Sequence, residues 1–311
     1  MKPLIIIAGP TGVGKTDFAV WLARRLHTEI ISADSMQVYR YMDIGTAKPG
    51  LEQQKNAKHH LIDLVNPDQN FSVADYQVLF EKTVSDFAKA SMIPLIVGGT
   101  GLYIRACTQS FTLDNPAHPD WELRHSLKLQ AELKGNSYLH EKLKSIDPEA
   151  AQRLHPNDLV RVIRALEVYY QTGTPISKIQ SKNTLKYPCI FLFLDRNREE
   201  LYQRIDRRVE IMLEQGLLDE VRSLRERGFS PTLKPMQGLG YKQLNDYLDQ
   251  QTDFSEAINL MKQKTRNYAK RQITWFNKEP IDYRINLSGK TEEFYGEILN
   301  YLEGRLSLDV E

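Results

Sequence analysis

With 311 residues, 41% of them hydrophobic and 26% charged, the chain has enough apolar material for one large domain or two. Its net charge is +1, so a nucleic-acid partner has to be met by a local basic patch and not by overall charge. Its two cysteines, Cys107 and Cys189, exclude a disulfide scaffold and a zinc module and point to a reducing, cytoplasmic setting. No apolar run reaches the ~18 residues of a membrane span, and Gly9, Lys15 and Asp17 break the first apolar stretch too early for a secretory signal.

The apolar run at 4–9 reads as a buried parallel strand, and Phe18, Leu22 and Leu26 give residues 16–27 the spacing of a helix. Between them, Gly9-Pro10-Thr11-Gly12-Val13-Gly14-Lys15-Thr16 meets G-x-x-x-x-G-K-[ST] at every fixed position. Such glycines let backbone N–H groups curl around an anion, and the helix N-terminus adds partial positive charge. Lys15 reaches an outer phosphate, and the Thr16 hydroxyl is placed to ligate Mg²⁺. The motif identifies a pyrophosphate-like ligand and no particular reaction.

A second strand at 29–34 ends on Asp34, where open α/β sheets carry ligand-handling residues. Two roles are open to it: a carboxylate behind bound Mg²⁺, as in nucleotide hydrolases, or a general base. Ser35, Met36, Gln37 and Tyr39 follow as a polar and aromatic run suited to gripping a flat substrate. Residues 72–90 repeat apolar side chains at helical spacing, and the strand at 93–99 leads into Thr100, flanked by Gly98, Gly99 and Gly101. Either a close ligand or a tight strand-to-helix turn accounts for those glycines. This βαβ alternation predicts an α/β fold with a parallel sheet.

From 115 to 185 the pattern is helical with charged faces, as expected of an insertion between two strands. Arg161 and Arg164 are three apart and share a helix face, which by itself reads as a solvated face or as pairing with Glu167; Asn157 and Asp158 read as a helix N-cap. A strand follows at 189–195, then helical patterns at 198–227 and 255–277 and a strand candidate, YRINLS, at 283–288. Of Arg204, Arg207 and Arg208, which cannot all face one site, Arg208 is the one expected to reach phosphate. The loop Gln237-Gly238-Leu239-Gly240-Tyr241-Lys242 offers amide, aromatic and cationic groups. Between 257 and 278, Lys262, Lys264, Arg266, Lys270, Arg271 and Lys278 occur with no acidic residue, a candidate phosphate-backbone footprint. His59 and His60 lack a matching ligand set and read as structural.

The stretch DSMQVYRYMDIGTAKP, beginning at Asp34, resembles the signature of the tRNA dimethylallyltransferases, also called tRNA isopentenylpyrophosphate transferases. Further matching blocks follow in order: HHLIDLVNP (59–67), VGGTGLYIRA (97–106), RLHPNDLVRVIRALEV (153–168), GLGYKQL (238–244) and YAKRQITWF (268–276). Eukaryotic relatives carry a C-terminal zinc finger that these cysteines do not supply, so the resemblance is to the bacterial form. It implies a P-loop core (1–114 and 186–311) interrupted by an all-helical, tRNA-binding insertion (115–185). It also implies Mg²⁺-dependent transfer of a dimethylallyl group from dimethylallyl diphosphate to N6 of the adenosine 3′-adjacent to the anticodon, in tRNAs reading U-starting codons. The partner is then the tRNA anticodon stem-loop, and the enzyme a monomer.

On that resemblance Asp34 is the general base, Lys15, Thr16 and Arg208 act on the diphosphate held by residues 9–16, and Thr100 lies near the target nucleotide. Contacts to tRNA fall to Asp34, Ser35, Met36, Gln37 and Thr100, to Arg124, Arg161 and Arg164 of the insertion, and to residues 237–242. The rivals are an adenylate isopentenyltransferase acting on free nucleotide, a P-loop small-molecule kinase, and a non-catalytic RNA-binding NTPase.

Overall fold

Strand β1 (Leu4–Ala8) is buried on both faces, with Leu4, Ile6 and Ala8 in one apolar cluster and Ile5 and Ile7 in another. A strand covered on both sides carries no polar alternation, which is why its sequence is an unbroken apolar run. The computed structural model describes residues 2–109, 120–179, 185–289 and 292–308. β1 lies inside a six-stranded sheet with β2 (Ile30–Ser32), β3 (His59–His60), β4 (Leu95–Gly98), β5 (Cys189–Asp195) and β6 (Tyr283–Asn286). The order is β3-β2-β4-β1-β5-β6 and every pairing is parallel.

Helices α1 (Lys15–Arg25), α2 (Leu51–Asn56), α3 (Val73–Lys89) and α4 (Gly101–Thr108) alternate with the first four strands. After them come α5 (Trp121–Lys134), α6 (Asn136–Ile146), α7 (Pro148–Arg153), α8 (Leu159–Thr172) and α9 (Ile176–Ile179). The chain then runs through α10 (Arg198–Glu214), α11 (Leu217–Glu226), α12 (Tyr241–Leu248), α13 (Phe254–Phe276) and α14 (Glu292–Leu308). It forms two compact units, residues 1–108 with 185–311, and residues 109–184. The first holds the sheet; the second is α5–α9, with its own core of Leu127, Leu139, Leu143, Val162 and Leu166. The break between units thus falls after residue 108, ahead of the sequence boundary at 115, while residues 115–119 and 180–184 lie outside the described residues.

Local chemistry explains the differences from the sequence pattern. The continuous helix expected over 198–227 is broken at Gly216, whose φ of 95° turns the chain between α10 and α11. Strand β3 is two residues long, too short for periodicity to show. Among the described residues no helix is long and apolar enough to cross a membrane.

Candidate active site

Sheet register assembles the site. Ala8 pairs with Gly98 of β4 and with Phe193 of β5, so the loop after β1 lies beside the turns that end both neighbours. Ser32 pairs with Val97, which sets Asp34 next to Thr100. Four strand ends therefore converge at the carboxyl edge of a parallel sheet, where such folds bind ligands.

The loop Gly9–Thr16 closes with Gly14 at φ 109°, a conformation that glycine reaches without strain, and α1 starts at once. Lys15 Nζ donates to Gly9 O and Pro10 O, at 2.9 Å each. Burial, reinforced by the charge of Arg208, pulls the Lys15 ammonium down to about 7; Asp34 opposes this. Arg204 Nε donates to Gly12 O (3.0 Å) and Arg196 Nε to Val13 O (2.9 Å). Arg208 is held below the usual guanidinium range by burial, with Asp34 and then Asp17 favouring its charge. Arg207 turns outward to Glu210 and Glu214. Arg208 lies within electrostatic reach of Lys15 and Asp34, while Arg204 and Arg196 are the arginines that hydrogen-bond the loop itself. Arg196 is a functional candidate that pattern reading missed; its signal is its position just past the end of β5.

Around Asp34 the backbone is tied down. Asp34 Oδ1 accepts from Met36 N (2.9 Å), Ser35 N donates to Thr100 Oγ1 (3.0 Å), and Thr100 N donates to Ala33 O (3.2 Å). Tyr268 of α13 turns its hydroxyl to Thr100 and Gln272; burial first, then the charge of Asp34, keeps it protonated. The glycines flanking Thr100 have a different cause from a close ligand. A Cβ on Gly99 would strike Gln272 Nε2 and one on Gly101 would strike Trp275 Nε1, so these positions make room for α13.

Other expected contact residues divide. Met36 packs against Gly238, which brings two of them together. The Gln37 amide is committed within its own segment, accepting from Ser32 Oγ and directed at the carbonyls of Thr46 and Ala47. Tyr241 is a correction: its side chain is 0% exposed and its hydroxyl donates to Glu220 Oε1 (2.6 Å), so it supports its loop from beneath and does not present a ring to RNA. Gln237 and Lys242 are exposed, with Lys242 near Asp246. The basic run of α13 is also less one-sided than its sequence, because Lys262 pairs with Glu210 and Arg266 with Asp206 on α10.

Within the helical unit, Glu167 is 0% exposed and gathers Arg124, Arg164 and the Asp120 N–H. Burial alone would raise its pKa; the Arg124 and Arg164 hydrogen bonds outweigh that and lower it. Arg161 is two-thirds exposed beside Asp158, whose side chain caps α8.

Chemically, one edge of the sheet holds a cationic phosphate cradle and a carboxylate beside a threonine hydroxyl. It can take a proton from one reactant while neutralising the anion that leaves another. Among the described residues no three His, Cys, Asp or Glu side chains gather as a metal cage. Thr16 at the start of α1 offers a hard hydroxyl donor.

A family model described as IPP transferase matches residues 37–279. The tRNA dimethylallyltransferase of Alkaliphilus oremlandii is 48% identical over 289 residues, covering 92% of both chains. That of Halothermothrix orenii is 48% identical over 95% of this chain and 91% of its own. Among solved structures, the tRNA isopentenylpyrophosphate transferase of Bacillus halodurans aligns with a TM-score of 0.75 at 41% identity, covering 99% of this chain and 97% of that one. A eukaryotic dimethylallyltransferase acting on tRNA aligns with a TM-score of 0.83 at 30% identity, over 98% of this chain and 80% of that one. In sequence over most of its length and in fold over nearly all of it, the chain belongs to the IPP transferase family.

Proposed function

We propose that the protein moves the dimethylallyl group of dimethylallyl diphosphate onto N6 of the adenosine 3′-adjacent to the anticodon in tRNAs reading U-starting codons. The products are N6-isopentenyladenosine and diphosphate. The observation that carries this reading is the sheet register, which brings the phosphate loop after β1 and Asp34 after β2 to the same carboxyl edge, on either side of the Thr100 turn.

The adenine amine is a weak nucleophile because its lone pair is delocalised into the ring. As that lone pair forms a bond to C1 of the allyl group, the C1–O bond breaks and its electrons leave with the diphosphate. Asp34 accepts the N6 proton. Lys15, Arg208 and the N–H groups of Gly12, Gly14, Lys15 and Thr16 hold the departing anion, with Arg204 bracing the loop from outside. Thr100, tied to Ser35, orients the nucleotide. Mg²⁺ suits the donors present: Thr16 would hold it together with diphosphate oxygens and water, the hard and sparse ligand set this ion favours. When bound, it supplies further neutralisation of the leaving group.

The target base lies in a loop and leaves its stack to reach the cradle. The helical unit, residues 109–184, and exposed members of 237–242 grip the anticodon stem-loop in this reading. The enzyme acts as a cytoplasmic monomer, a setting consistent with two free thiols.

The test incubates the protein with labelled dimethylallyl diphosphate and tRNA or AMP, and separately with ATP and small acids. Label entering tRNA alone is expected; label only in AMP, or phosphoryl transfer from ATP, overturns the reading. Asp34→Ala is expected to bind tRNA normally and lose roughly 10²- to 10⁴-fold in turnover, the scale of an acid–base contribution.

A further inference from the structure

Gln272 is 5% exposed, in the C-terminal turns of α13, and its amide makes two hydrogen bonds to backbone 261 and 173 residues away. Its Oε1 accepts from Thr11 N at 2.8 Å, and its Nε2 donates to Gly99 O at 3.0 Å. The partners dictate the amide orientation, since an N–H demands the oxygen and a carbonyl demands the NH₂. One side chain thus ties the phosphate loop to the turn that carries Thr100. It also occupies a backbone N–H of that loop, at Thr11, with a protein acceptor.

The tie is built for this contact. Any Cβ at Gly99 would lie where Gln272 Nε2 sits, and one turn earlier Tyr268 faces Thr100 from the same helix. Trp275, one turn later, fills the space beside Gly101. The inner face of α13 therefore touches both the turn beside the acceptor base and, through Gln272 alone of these three, the cradle.

We infer that Gln272 is a positioning residue that holds the diphosphate cradle in register with Thr100 and Asp34, so that the carbon leaving the cradle meets the incoming amine. This rests on the prenyl-transfer reading above. Reacting atoms must approach to about 3–3.5 Å with orbitals aligned, and a misplacement of about 1 Å costs about 10²-fold in rate. Gln272 contacts neither reactant in this account; it acts through the Thr11 and Gly99 backbone.

Three variants test it. Gln272→Met keeps the length and loses both hydrogen bonds; kcat is expected to fall about 10²-fold, with the tRNA dissociation constant unchanged. Gln272→Ala does the same with less packing. Gln272→Glu is the discriminating one. Its carboxylate can accept from Thr11 N but repels the Gly99 carbonyl, whereas its protonated form donates to Gly99 O and restores both bonds. Burial and the facing Gly99 carbonyl raise the pKa of the introduced group. The activity of Gln272→Glu relative to the native enzyme, measured at each pH, is expected to climb as pH falls from about 8.5 to about 6, with no such climb for Gln272→Met. A flat ratio for Gln272→Glu, a parallel climb in Gln272→Met, or native kcat in Gln272→Met overturns the inference. If Gln272→Met and Gln272→Ala do not fold, the pH ratio of Gln272→Glu decides alone. If the native protein transfers no prenyl group, the functional reading fails, and affinity for inorganic diphosphate replaces activity. The same climb in the affinity ratio then supports the tie, and a flat one removes it.

Discussion

At the scale of single residues, the site is organised by what burial does to charge. Lys15 sits under its own loop, and desolvation together with Arg208 lowers its ammonium to about 7 against a usual 10.5. In the ligand-free protein the folded state therefore binds fewer protons than the unfolded chain between those values. Stability conferred through this group rises with pH across that window and is lowest below pH 7. A diphosphate reverses the preference, because it favours the charged ammonium. Binding of inorganic diphosphate at pH 8 is thus expected to take up a proton, and affinity to fall by up to about tenfold per pH unit above 7. Calorimetry in two buffers of different ionisation enthalpy measures the uptake. Lys15→Arg, charged throughout, is expected to lose the part due to Lys15; native protein showing no more uptake than this variant contradicts the assignment.

Elements are held together by polar side chains whose partners lie on other elements. Glu220 of α11 accepts from the backbone N–H groups of Asp43 (2.9 Å), Ile44 (2.7 Å) and Gly45 (3.1 Å), and from the Tyr241 hydroxyl at the start of α12. Burial, and next the charge of Glu220, holds the Tyr241 hydroxyl far above its usual pKa, so it remains a donor. Tyr241→Phe removes one of four donors to a carboxylate without opening a cavity. The expected cost is about 1.5–3 kcal/mol in equilibrium denaturation, the range for a hydrogen bond to a charged group. A loss confined to tRNA affinity, with stability unchanged, would return Tyr241 to the role of a substrate contact that its loop position suggested.

For the whole molecule, the division into a sheet unit and a helical unit makes separable demands. Glu167 compensates Arg124 and Arg164 entirely within the helical unit, while every cradle residue belongs to the sheet unit. Removing one partner of a buried charge cluster typically costs about 3–5 kcal/mol. Glu167→Ala is accordingly expected to destabilise residues 109–184 and to raise the KM for tRNA, leaving inorganic diphosphate affinity at its native value. Steady-state kinetics alongside diphosphate titration separate the two; a matching loss of diphosphate affinity shows the units to be energetically coupled through this cluster.

Five of the six strands, the phosphate loop and the carboxyl-end position of Asp34 were legible in the sequence because their causes are local. A strand buried on both faces writes an apolar run, a loop that wraps an anion writes its glycines, and a strand end is a place a reader can count to. The same reading missed Gln272 and Arg196, left the glycines around Thr100 open between a ligand and a tight turn, and counted Tyr241 among the contacts to tRNA. Each of these was decided by which face of a helix meets a partner far away along the chain, as when Gln272 meets Thr11 across 261 residues. Spacing within a helix shows which residues share a face, and only tertiary packing decides what that face meets. The α13 sequence displays cations and aromatics; folding pairs Lys262 and Arg266 with acids of α10 and turns Tyr268, Gln272 and Trp275 toward the site. The sequence alone thus determined most of the strands and the anion-binding loop, whereas the register between that loop and the Thr100 turn came from contacts that exist only in the folded chain.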